Sequence, residues 1–141
     1  MLEIDVHASS AAPPERLYAL LADVRTWPEW APADEAEVEF GQGVGEIRRL
    51  RKGRVRSKER VVALEPPRRF AYEFLSGLPI RDYRSAVTLG PNPDGGTTIR
   101  WHSTFRAKVP GTGWAMRWSL KRFIAETADG LARAAETGST T

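Results

Sequence analysis

The chain has 141 residues, no cysteine and a formal net charge of +3, which is length enough for one domain that buries its own core. The missing cysteine excludes disulfide scaffolds, cysteine-ligated zinc, thiol catalysis and redox switching together. The opening MLEIDVHASS lacks the basic-then-apolar order of a signal peptide, and nowhere do about 18 apolar residues run together, so a cytoplasmic protein without a membrane span is expected.

In chain order, Leu2, Ile4 and Val6 alternate with Glu3, Asp5 and His7, the period-two pattern of a strand with one buried face. PPERLYALLADV then reads as an amphipathic helix. Pro13 and Pro14 suit its first turn, Glu15 favours the positive end of the dipole, and Leu17, Leu20, Leu21 and Val24 share a face. The connection RTWPEWAP sets Trp27 and Trp30 three positions apart, on one side of a short helical turn. Six strand-like runs follow: AEVEF ending at Phe40, GEIRRLRK from Gly45, VRSKERVVAL from Val55, RRFAYEFL from Arg68, RDYRSAVTL from Arg81 and TTIRWHSTFRAKV from Thr97. GQGVG, KGR, EPP, SGLP and PNPDGG separate them with turn-forming residues, and runs this close in sequence pair antiparallel. The chain closes on GWAMRWSLKRFIAETADGLARAAE, where Met116, Leu120, Phe123, Ile124, Thr127, Leu131 and Ala134 recur at helical spacing, with Gly130 a minor helix penalty. One domain is expected over residues 1–136, followed by a frayed polar tail at 137–141.

A single long helix covers a seven-stranded antiparallel sheet only if the sheet curls around it, and curling leaves space between the two. PPERLYALLADV followed by WPEW, the GxG turn at Gly43 and Gly45, ERVVALEPPRRFAYE, GGTTIRW and PGTGW carry a resemblance over nearly the whole chain. The sequence is similar to the helix-grip α+β fold of the START and Bet v 1-like (SRPBCC) superfamily, most of all its polyketide cyclase/dehydrase-like branch. The resemblance implies a curved seven-stranded antiparallel sheet wrapped around the C-terminal helix, with one or two short helices between the first two strands. It also implies an internal cavity for lipids, polyketides or other apolar molecules. It carries no catalytic residue onto this sequence.

Strand alternation sorts the candidate cavity residues. Phe70, Tyr72 and Phe74 share one face of their strand, as do Tyr83, Ser85, Val87 and Leu89, and Ile99, Trp101, Ser103 and Phe105. With the tryptophan pair and the helix stripe, the expected ligand-binding set is Trp27, Trp30, Tyr72, Phe74, Tyr83, Trp101, Phe105, Met116, Leu120 and Phe123. Ser85 and Ser103 are possible polar pocket groups. So are Arg49 and Glu59, whose strand parity the pattern leaves open. His102 falls on the outer face, and neither it nor His7 has acidic neighbours at metal-ligand spacing, so no metal and no cofactor are expected. SGLPIRD places Leu78, Pro79 and Ile80 at a hairpin tip, where they could cover the pocket mouth, meet the PGTGW loop or form a dimer contact.

Three functions follow. The first is binding of a small apolar molecule in the cavity, by a monomer or homodimer. The second is a cyclase/dehydrase-type enzyme acting on a ligand held there, with Arg49, Glu59, Tyr72 and Tyr83 as its undecided polar groups. The third is binding of an acidic partner or nucleic acid by RRLRKGRVRSKER, with eight basic residues against one acidic between Arg48 and Arg60. That run has no interleaved aromatics for base stacking, so nucleic acid is the weakest of the three.

Overall fold

The computed structural model describes residues 1–137. Seven strands form one antiparallel sheet: β1 (Leu2–Ser10), β2 (Glu35–Phe40), β3 (Ile47–Lys52), β4 (Val55–Glu65), β5 (Arg69–Ser76), β6 (Ile80–Pro91) and β7 (Thr97–Ala107). Their spatial order is β1-β7-β6-β5-β4-β3-β2. Every consecutive pair from β2 to β7 is a hairpin, and β1 closes the far edge against β7. Helix α1 (Pro14–Ala22) and a 3-10 turn over Val24–Glu29 join β1 to β2, and α2 (Gly113–Thr137) ends the described chain. Thr137 is thus part of α2, and the rest of the expected tail lies outside the described residues. No described helix is long and apolar enough to cross a membrane.

The local causes are those in the sequence. Pro14 opens α1 with its ring in the first turn, and Leu17, Tyr18 and Leu21 are its buried face. The β3–β4 hairpin turns on Gly53 and Arg54, because Lys52 pairs with Val55; Gly53 takes φ +61°, as a tight two-residue turn demands. Alternation along β7 runs buried at Thr97, Ile99, Trp101, Ser103 and Phe105, so its inner face meets α2 while Arg100 and Arg106 face water.

Helix α2 packs on β1, β7 and α1. Its C-terminal half presents Ala128, Gly130, Leu131, Ala132 and Ala135, all buried. Small side chains let that half lie close to its neighbours. A Cβ on Gly130 would stand 1.9 Å from the Trp30 carbonyl oxygen, so this glycine is the point where the α1–β2 connection touches the helix. The N-terminal half carries larger residues and stands away from the middle of the sheet. Between the two lies a cavity.

Candidate functional site

The cavity has a volume of about 430 Å³, inside the range of about 300–1,000 Å³ usual for small-molecule sites. Trp27 walls one side from the 3-10 turn, and Leu50, Val55, Ser57 and Glu59 come from β3 and β4. Tyr72 and Phe74 on β5, Tyr83 on β6 and Trp101 on β7 continue the wall, and Leu120, Phe123, Ile124 and Thr127 of α2 close it. Leu78, at the tip between β5 and β6, also reaches the cavity, while Ile80 beside it is buried in the core. At the mouth stand Arg51, Lys52, Arg122 and Glu126.

The rings hold one another edge to face. Trp27 meets Trp101 at 6.3 Å and Tyr72 at 6.5 Å between centroids, in the T-shaped geometry that aromatic quadrupoles favour. Their polar tips are held by protein. The Trp27 indole N–H donates to the Leu21 carbonyl at 3.2 Å, and that of Trp101 to the Tyr72 hydroxyl at 3.3 Å. Ser85 donates to the Tyr83 hydroxyl at 3.0 Å, and the Ser85 and Ser103 hydroxyls lie 2.5 Å apart. Burial pushes the phenols of Tyr72 and Tyr83 up, so both stay neutral.

Glu59 is the exception. It is half-buried on the inner face of β4, and its carboxyl makes no hydrogen bond or ion pair among the described residues. Burial pushes it up to about 7, against the opposing pull of the Arg48 guanidinium. Arg48 lies directly opposite on β3 and is 2% exposed, but its guanidinium is turned to other acceptors. It bonds the Glu46 carboxylate at 2.7 Å, the Leu21 carbonyl at 3.0 Å and the Ala22 carbonyl at the end of α1. Its plane sits 4.9 Å from the Phe70 ring centroid. The buried cation therefore ties β3 to α1 and leaves the neighbouring carboxyl without a partner.

Of the expected site residues, the structure brings Trp27, Tyr72, Phe74, Tyr83, Trp101, Leu120, Phe123 and Glu59 to one cavity. It leaves out six. Trp30 is buried behind Trp27, 4.9 Å away between centroids, with its carbonyl against Gly130. Phe105 is wholly buried in the core, and Met116 packs against the core's edge. Ser85 and Ser103 sit one bond behind Tyr83 rather than on the wall. Arg49, a possible pocket group of open parity, is instead exposed on the outer face and paired with Glu37. The reason is Leu50, whose burial sets the parity of β3 and turns Arg48 inward instead. Arg48 was missed, yet the KGR turn held the signal, since a two-residue loop pairs position 48 with 59.

Two surface features stand apart from the cavity. His102 lies on the outer face, its Nε2 2.7 Å from the Glu3 carboxylate. The basic run faces acidic β2: Arg51 meets Glu35 at 3.0 Å, Lys58 meets Glu39 at 2.9 Å and, on the other side, Arg60 meets Glu73 at 3.4 Å.

The family described as polyketide cyclase/dehydrase and lipid transport matches residues 1–136. Solved structures share the fold at low identity. The protein XoxI of Bacillus cereus is 17% identical with a TM-score of 0.83, covering 95% of each chain. A protein of Thermobifida fusca is 20% identical with a TM-score of 0.82, over 96% of this chain and 93% of its own. The Aha1 dimer of Colwellia psychrerythraea is 17% identical with a TM-score of 0.74, over 99% of this chain and 100% of its own. No functionally curated protein matches the sequence.

Proposed function

Because the chain belongs to the polyketide cyclase/dehydrase and lipid-transport family, we propose that it binds one small apolar molecule, polyketide-like or lipid-like, between its sheet and α2. The observation that carries this reading is the ring-walled space of about 430 Å³, large enough for a small molecule and bordered by the buried core. In this reading residues 1–136 act as a single domain in the cytoplasm, as a monomer or as a homodimer, the state described for the Colwellia neighbour. The test is tryptophan fluorescence in a Trp114→Phe/Trp118→Phe variant, which removes the two exposed indoles and keeps Trp27, Trp30 and Trp101. Saturable change with compact apolar compounds supports the reading. A flat response across such compounds contradicts it.

One observation favours a second reading, an enzyme of the cyclase/dehydrase type working on the same bound molecule. Glu59, pushed up to about 7, would exchange a proton near neutral pH beside the Tyr72 and Tyr83 hydroxyls. Turnover of a bound polyketone that survives Glu59→Gln would remove that role. Acidic-partner binding through residues 48–60 has less support, since much of that charge is matched by β2 and Glu73.

A further inference from the structure

Resting on the cavity-binding reading, we infer that the bound molecule carries a basic nitrogen, held as an ammonium against Glu59 and enclosed by the aromatic wall. Three ligand types can be compared by what they would meet. An acid would find no free cation inside: Arg48 does not line the cavity and is turned to Glu46 and two carbonyls, so the acid's charge would face Glu59 alone. Of the cations at the mouth, Arg51 is paired with Glu35 at 3.0 Å and Arg122 with Glu126 at 3.6 Å, while Lys52, over the Phe123 ring at 5.7 Å, is exposed to water outside the ring-walled space. A neutral apolar molecule would displace water from Glu59 and leave its carboxyl without a partner, which is costly unless it takes up a proton. An ammonium supplies the missing donor and the opposite charge. Trp27, Tyr72, Phe74 and Trp101 line the same space, and each ring face presented to the ammonium would add cation–π attraction.

The charged and titratable groups facing Glu59 are Arg48 on β3, Tyr72 on β5 and Tyr83 on β6, with Arg51, Lys52, Arg122 and Glu126 at the mouth. Both histidines lie on the outer face of the sheet. Ionisation of Glu59 is accordingly the event that sets the preference for an amine near neutral pH, and the preference grows as pH rises through about 7.

Three probes with the same apolar cage test this: 1-adamantanemethylamine, 1-adamantanemethanol and 1-adamantanecarboxylate, titrated by fluorescence into the Trp114→Phe/Trp118→Phe protein at pH 8. The amine is expected to bind about tenfold or more tighter than the alcohol, with the acid weakest. Adding Glu59→Gln should erase the amine's lead over the alcohol, and lowering the pH of the unsubstituted site to 6 should shrink it. If the alcohol binds as well as the amine at pH 8, or the lead is the same at both pH values, the ammonium site is wrong while the cavity stands. Failure of all three cages to bind would overturn the cavity reading and this inference with it.

Discussion

Glu59 and Arg48 lie opposite each other on adjacent strands and still do not neutralise one another, because the guanidinium is committed to Glu46 and the end of α1. The consequence for Glu59 is measurable in stability. Its carboxyl holds a proton to about 7 in the folded chain, against an ordinary value of 4.5. Between those two pH values the folded state binds more protons than the unfolded one, so stability falls as pH rises. At about 1.4 kcal/mol per pKa unit the loss is on the order of 3 kcal/mol. Urea denaturation of the wild-type and Glu59→Gln proteins at pH 4.5 and pH 8 isolates this contribution. The wild type should lose stability relative to Glu59→Gln across that window, and parallel behaviour of the two would contradict the burial of a partnerless carboxyl. The sequence shows that Glu59 and an arginine stand near one another, but not which way they point. Ile47 and Leu50 are three apart in β3, so strict alternation satisfies only one of them, and the choice of Leu50 turns Arg48 inward.

At the scale of elements, strand positions and helix faces were legible because turn residues interrupt every hydrophobic run and the periods of two and 3.6 are clean. Parity was not legible where a bulge changes it. In β4 the register shifts between Val61 and Ala63, so Val61 and Leu64 both point inward and Val62 is exposed. An unbroken run such as VVAL gives no hint of that extra residue. β6 does the same between Arg81 and Arg84, where Asp82 takes φ +52° and lets both Ile80 and Tyr83 face inward. Gly130 was also misjudged from sequence, because a helical glycine is visible only as lost propensity, whereas its purpose is contact. Replacing it with alanine gains about 1 kcal/mol of helix propensity but drives a methyl group into the Trp30 carbonyl, 1.9 Å away. Such overpacking costs roughly 1–3 kcal/mol, more where the obstacle is backbone. Gly130→Ala is therefore expected to lower the thermal midpoint, against the propensity scale. A raised midpoint would show that the α1–β2 connection yields easily.

For the whole molecule, the cavity is a product of how α2 sits. Ala128, Ala132 and Ala135 let its C-terminal half lie down on its neighbours, while Leu120 and Phe123 in the N-terminal half face space rather than a filled core. The curved sheet supplies rings from β5, β6 and β7 to the opposite wall. Exposed Trp114 and Trp118, 77% and 64% accessible, offer apolar compounds a competing surface outside. The decisive measurement distinguishes the two locations: isotope-filtered NOE spectroscopy of the protein saturated with an adamantane cage compound. Cross-peaks from the cage protons to Trp27, Trp101 and Phe123 are predicted. Cross-peaks confined to Trp114 and Trp118 would contradict binding inside the fold.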